Sequence, residues 1–66
     1  MRKLRVDFNQ AVGDVVFAQL HGESFSVGDH VAVYDLDTEI YEAVVQEVSA
    51  TSVTLLVDFT KVLEAA

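Results

Sequence analysis

The chain has 66 residues, of which 52% are hydrophobic, and a formal net charge of −7 at pH 7. This length fits one domain, which we predict to span residues 1–66, and the high apolar fraction excludes an intrinsically disordered chain. The absence of cysteine excludes disulfides and thiolate metal sites.

The basic residues are concentrated at the N-terminus. Three of the four basic residues are Arg2, Lys3 and Arg5. The remainder of the chain contains one basic residue, Lys61, and 11 acidic residues. Nucleic acids are bound chiefly through lysine and arginine, so this distribution argues against a nucleic-acid-binding surface. We interpret the basic segment as a solvated end that balances the acidic body.

The first strand is predicted at the N-terminus. Leu4, Val6 and Phe8 alternate with charged residues, which is the period of a half-buried strand. The same alternation predicts no secretory leader. No apolar run approaches the roughly 18 residues that a membrane span requires, so we expect neither secretion nor membrane insertion.

The second strand is predicted over residues 15–20, after a break at Gly13-Asp14. This run is apolar on both faces, which is typical of a strand buried on both sides or covered by a partner. A chain of this size buries only about 60% of the surface that its unfolded form exposes, so we expect marginal stability as a monomer and a partner that covers some of the apolar surface. The predicted assembly interface consists of four residues: Val16, Ala18, Leu20 and Leu56.

Residues 27–59 predict three successive antiparallel strands. The first follows a tight turn at residues 27–29 and ends at Tyr34, before an acidic connection at residues 35–39. The next two strands are residues 40–48 and 53–59, and Val53, Leu55, Val57 and Phe59 share the inward face of the last one. Residues 61–66 fit either a helical turn or a short closing strand.

Five short strands separated by turn residues predict an all-β fold. The two-sided apolar pattern of the second and fourth strands favours closure over a flat sheet. The sequence therefore predicts a small five-stranded, strongly bent antiparallel SH3-like barrel.

Residues 27–59 resemble the Tudor and related SH3-like barrels. These domains share a Val-Gly-Asp lead-in, here residues 27–29, and an apolar strand that ends in an aromatic residue, here Tyr34. An acidic hairpin follows, and then a Tyr-x-Ala-x-Val strand, which begins here at Tyr41. The likeness covers about half of the chain.

In Tudor domains, aromatic rings and nearby acids hold a methylated lysine or arginine by cation–π attraction. The resemblance implies cage walls at Tyr34 and Tyr41, with Phe59 as a third. It also implies a negative field from the acidic turn: Asp35, Asp37 and Glu39. The chain departs from the family pattern because it has no tryptophan. The alternative is that the two tyrosines pack the barrel with their hydroxyls at its rim.

Catalytic and metal-binding motifs fail on spacing. The acidic turn begins like a calcium loop, but Ile40 and Gln46 occupy the positions that need glycine and glutamate. His21 and His30 match no zinc-ligand spacing, and no serine lies in a glycine-flanked nucleophile elbow. We therefore expect a protein without enzymatic activity, cofactor or metal.

Two functions are compatible with these patterns. The first is a non-enzymatic protein–protein interaction module, a small structural or accessory subunit that forms a homo-oligomer or docks on a larger protein assembly. Small barrels of this kind resemble decoration and connector subunits of phage particles, so we expect a location in the cytoplasm or within a virus particle. The second is a Tudor-like reader of cationic or methylated peptides through Tyr34, Tyr41 and the acidic turn.

Overall fold

Five strands form one mixed sheet in the computed structural model, which describes residues 1–65. The strands are β1 (Lys3–Arg5), β2 (Val15–Gln19), β3 (His30–Tyr34), β4 (Ile40–Val48) and β5 (Ser52–Glu64). A single 3₁₀ turn, Phe8–Gln10, lies between β1 and β2. The all-β class and the five-stranded sheet are confirmed.

The strand order is β1-β3-β4-β5-β2. β3, β4 and β5 form the expected antiparallel meander, and β2 pairs antiparallel with the other side of β5. β1 pairs with β3 in parallel, whereas the prediction was antiparallel throughout. The parallel pair can form because β2 and its flanking loops lie between β1 and β3, and a connection of that length can return the chain in the same direction.

The two edge strands are β1 and β2. Within residues 1–65 no ladder of hydrogen bonds joins them. A shallow groove separates these edges, with Arg5 and Val6 on one side and Phe17 and Ala18 on the other. Closure of the predicted barrel is therefore not confirmed.

The core lies on one face of the curled sheet, because alternate side chains of each strand point to that face. Leu55 of β5 is fully buried within it. The other strand residues of the core are Leu4, Val16, Ala18, Val31, Val33, Ala43, Val45, Val53 and Val57. Val6 and Phe25 join them from outside the strands. The inward positions predicted for Val53, Leu55 and Val57 are thus confirmed.

β5 is longer than predicted, since it runs from Ser52 to Glu64. Residues 61–64 therefore continue this strand instead of forming a helical turn or a separate closing strand. The last residue of the predicted segment, Ala66, lies outside the described residues.

A bulge interrupts β5 next to β4. Glu42 pairs with Asp58 and Tyr41 pairs with Val62, so residues 59–61 have no partners in the ladder. The Asp58 carboxylate accepts hydrogen bonds from the Thr60 backbone amide, at 3.0 Å, and from the Thr60 hydroxyl. Bulges bend a strand and redirect its side chains. Phe59, at the bulge, is 39% exposed, and its ring lies against Phe8 and Tyr41 at the edge of the core.

Candidate functional site

Tyr34 and Tyr41 lie on opposite faces of the sheet. Val33 pairs with Tyr41 across β3 and β4, so these two side chains share the inner face. Tyr34 follows Val33 and therefore points to the outer face, where it pairs with Arg5. This placement corrects the predicted cage, because the two tyrosines do not face each other as walls of one site.

Tyr41 instead packs in an aromatic cluster with Phe8 and Phe59. The ring centroids lie 5.9 Å apart for Phe8–Tyr41, 5.5 Å for Phe8–Phe59 and 5.0 Å for Tyr41–Phe59, all edge to face. These are the distances of direct ring packing, so the rings themselves fill the space between them. For Tyr41, the packing alternative fits better than an open cage wall.

The Tyr41 hydroxyl lies at the rim of the aromatic cluster. It donates a hydrogen bond to Glu39 Oε1 at 3.3 Å. Burial, and to a lesser extent the negative charge of Glu39, raises the pKa of Tyr41 above its ordinary value. Tyr41 is therefore a neutral donor near pH 7, and Glu39 is its acceptor.

The acidic turn is organised by Asp35. Its carboxylate accepts hydrogen bonds from the backbone amides of Phe8, at 2.9 Å, and Leu36, at 2.7 Å. Both hydrogen bonds lower the pKa of Asp35 below its ordinary value, and the one from Phe8 has the larger effect. Asp35 thus ties the 3₁₀ turn that carries Phe8 to the β3–β4 connection. Asp37 is exposed and adopts the left-handed backbone region, with φ of 62°.

Acid is expected to weaken the fold partly through Asp35. Because its pKa is lower in the folded than in the unfolded chain, the ionised carboxylate stabilises the fold above its unfolded pKa of about 3.9. That contribution disappears as the pH falls through the lower folded value. Asp35→Asn should therefore lower the midpoint of thermal unfolding at neutral pH and make it less sensitive to acid.

Thermal unfolding followed by circular dichroism, from about pH 7 to about pH 2, checks this expectation. Asp37→Asn is the control, because it removes the same charge from the same turn while asparagine tolerates the left-handed region. The role assigned to Asp35 fails if Asp35→Asn and the control keep the same dependence on pH.

The predicted assembly interface is only partly exposed. Val16 and Ala18, at 0% and 6% exposure, face the core of the chain itself and cannot line an outer surface. Leu20 is partly buried against that core. Leu56, at 42% exposure, does face outward. The outward position between Val16 and Ala18 is held by Phe17, which is 66% exposed.

An apolar patch crosses the outer face of the sheet. In the strand register, Leu56 of β5 lies between Val15 of β2 and Val44 of β4, and Phe17 follows Val15 by two positions. These residues share the outer face because the side chains of a strand alternate. The outer patch is defined here as these four residues: Val15, Phe17, Val44 and Leu56.

A groove of about 450 Å³ extends from the outer patch to the bulge of β5. Val44 and Leu56 supply outward-facing apolar side chains to its lining, and the chain at Val57 and Phe59 borders it. Its charged or ionisable lining consists of Asp14, His30, Glu42, Asp58 and Lys61. The groove therefore joins an apolar floor to a rim with three carboxylates.

Glu42 lies at the centre of the charged rim, and its side chain is 17% exposed. Its carboxylate lies 2.9 Å from His30 Nδ1 and 3.9 Å from Lys61 Nζ. The hydroxyl and amide of Thr60 lower the pKa of the neighbouring Asp58. Asp58 therefore carries a negative charge at neutral pH.

The basic N-terminus is held by the chain itself. The Arg2 guanidinium lies 4.0 Å from the centre of the Phe25 ring, donates to the Ser24 carbonyl at 2.7 Å, and lies 3.5 Å from the Asp29 carboxylate. Lys3 Nζ lies 3.3 Å from Glu64. Arg2 is thus more than a solvated end, because it fastens the loop before β3 by cation–π and hydrogen-bond contacts.

Candidate metal ligands are dispersed. Among residues 1–65, no group of three or more histidine, aspartate or glutamate side chains is placed to hold a metal ion. His30 contacts Glu42, while the backbone amide of His21 donates to Glu23. Both histidines therefore make local polar contacts.

Comparisons with known proteins add no relative: no family model, curated protein or solved structure matches the chain. The resemblance to Tudor domains therefore stays a prediction. Within the described residues, no helix is both long enough and apolar enough to cross a membrane.

Sequence reasoning missed Phe17, Asp14 and Glu42 as candidate site residues. Phe17 lies in a continuous apolar run, where composition alone does not tell which alternate positions face outward. A local signal existed for the bulge, because aspartate two residues before threonine in Asp58-Phe59-Thr60 can bond the backbone and compete with regular strand pairing.

Proposed function

We propose that this protein is a non-enzymatic interaction module that docks on a partner protein through the outer patch. The observation that carries the proposal is the exposure of Phe17 and Leu56 on a face that also includes Val15 and Val44. Removing apolar surface from water yields about 25 cal/mol per Å², so burial of these side chains against a partner favours association.

The surroundings of the outer patch support the same function. Glu42 and Asp58 lie at one side of the patch, and Glu47 pairs with Thr54 at the other. Protein interfaces commonly combine an apolar centre with a polar rim. The outer patch has that arrangement.

More specifically, we propose that the protein is a small structural or accessory subunit of a larger assembly, of the decoration or connector type found in phage particles. A chain of 66 residues with an exposed apolar sheet face suits a subunit that is completed by its neighbours. Such a subunit would be located in the cytoplasm or within a virus particle. The reader of methylated peptides is less well supported, because Tyr34 and Tyr41 lie on opposite faces.

Affinity capture from a lysate of the source organism tests the docking function. The immobilised chain should retain a partner that the double variant Phe17→Ser, Leu56→Ser does not. The control is Val27→Ser, Leu36→Ser, which removes two exposed apolar side chains elsewhere. Exposed substitutions generally change stability by less than about 0.5 kcal/mol, so all three proteins should remain folded.

Two results would count against the docking function. One is that the double variant Phe17→Ser, Leu56→Ser retains the same proteins as the unaltered chain. The other is the absence of any retained protein whose binding depends on Phe17 and Leu56. Circular dichroism of each variant verifies that a lost partner does not reflect a lost fold.

A further inference from the structure

We propose that the groove takes a partner segment in which lysine or arginine neighbours an apolar side chain. This inference rests on the docking function and specifies the chemistry of the partner. It is argued from the charge and shape of the groove between the outer patch and the β5 bulge.

The floor of the groove selects an apolar side chain. Val44 and Leu56 belong to the outer patch and form this floor, and the chain at Phe59 borders the end of the groove at the bulge. The volume of about 450 Å³ is within the range of about 300–1,000 Å³ that is usual for binding pockets. The groove is therefore large enough for a few side chains of an extended segment.

The rim selects positive charge. Asp14, Glu42 and Asp58 contribute three negative charges and Lys61 one positive charge, so carboxylates outnumber the ammonium group in the rim. Complementary charge across an interface favours the matching partner and disfavours the others. A basic side chain beside the apolar anchor meets this requirement.

Lys61 is a weakly held counter-ion in the groove. Its ammonium lies 3.9 Å from Glu42, at the limit of an ion pair, and its side chain is 61% exposed. A lysine or arginine from the partner would compete with it for the same carboxylate. Removing the Lys61 ammonium should therefore strengthen the binding of a basic segment, although the variant loses the contact between Lys61 and Glu42.

Other occupants fit the charge less well. A second copy of this chain docked face to face would bring its own acidic rim against the first, and like charges in an interface oppose association. A nucleic acid would present phosphates to the same carboxylates. A separate protein with basic residues is the occupant that the groove favours.

The probe is a short peptide of alternating leucine and lysine, compared with a peptide in which glutamate replaces lysine. Titration of the isotopically labelled chain, followed by NMR, should show amide shifts at Val44, Leu56 and Phe59 with the leucine–lysine peptide. Binding of this peptide should weaken as salt is added. The inference is overturned if the two peptides bind equally, or if the leucine–lysine peptide shifts residues elsewhere.

Two substitutions with opposite expected effects on peptide affinity test the groove further. Asp58→Asn, which keeps an acceptor for Thr60, should weaken the leucine–lysine peptide by about threefold, and Lys61→Gln should tighten it by about threefold. Asp37→Asn and Lys3→Gln make the same changes in net charge outside the groove and should have smaller effects. Equal effects at the control positions would assign binding to net charge and overturn the groove as the site.

This outcome is separable from the docking function. If capture depends on Phe17 and Leu56 while the groove ignores basic peptides, docking stands and the basic partner is excluded. If the capture experiment fails, the docking function itself falls, whatever the peptides do.

Discussion

Leu55→Ala is expected to lower the free energy of unfolding by about 2–5 kcal/mol. Leu55 is fully buried in β5, between β4 and β2, and it packs in the hydrophobic core. Truncation to alanine removes apolar burial and leaves a cavity that close-packed neighbours fill only in part. The total stability of a domain of this size is roughly 3–10 kcal/mol, so this variant should lose a large fraction of it and unfold at a much lower urea concentration.

The neighbouring residue provides a matched control. Leu56→Ala makes the same chemical change one position along the strand, but Leu56 faces outward and is partly exposed. It should cost less than about 1 kcal/mol and leave the urea unfolding slope unchanged. Urea titration of both variants measures the difference, and equal destabilisation would contradict the assignment of Leu55 to the core and Leu56 to the outer patch.

The meander could be predicted from sequence because its pattern is local. Val53, Leu55 and Val57 alternate with Thr54, Leu56 and Asp58, which are polar or exposed. One buried face and a period of two fix both the strand and its orientation. These positions are core residues in the structure, as the alternation predicted.

β2 shows where this reasoning fails. Val15, Val16, Phe17 and Ala18 are all apolar, so hydrophobicity does not separate inward from outward positions. Pairing with β5 decides the matter, since Val16 lies opposite Leu55 and Phe17 opposite Thr54. The predicted interface therefore included Val16 and Ala18, whose side chains face inward, instead of Phe17, whose side chain faces outward.

The candidate cage failed for a related reason. The faces of Tyr34 and Tyr41 depend on the register between β3 and β4, which the length of the acidic connection does not specify by itself. Phe8 could not be assigned to the aromatic cluster because its position follows from the 3₁₀ turn and the Asp35 hydrogen bond. The hydrogen bond joins residues 27 positions apart, so it is a long-range consequence of the folded chain.

The parallel pairing of β1 with β3 was equally inaccessible. Alternation in residues 3–8 predicts a strand, of which Lys3–Arg5 forms, but it carries no information on which strand it joins or in which direction. Once β1 is in place, Lys3 reaches Glu64 and Arg2 reaches the loop at Ser24. The basic residues that composition placed at a solvated end thereby become contacts of the fold.

Phe8→Ala is expected to lower the free energy of unfolding by about 2 kcal/mol, and this is the largest effect we expect outside the fully buried core. Phe8 is partly buried against the core and makes edge-to-face contacts with Tyr41 and Phe59. It is also the point at which the 3₁₀ turn is tied to Asp35. Truncation removes both ring contacts and leaves Tyr41 and Phe59 without their shared neighbour.

Phe17→Ala is the matched control, because it removes the same ring from the exposed outer patch. We expect it to change stability by less than about 0.5 kcal/mol. Urea unfolding compares the two variants. The near-ultraviolet circular dichroism of tyrosine, recorded in a Tyr34→Phe background that leaves Tyr41 as the one tyrosine, reports whether the aromatic cluster keeps its packing. If Phe8→Ala preserved both the stability and the tyrosine signal, the cluster would be a surface contact, and the space around Tyr41 would again be open to a cationic ligand.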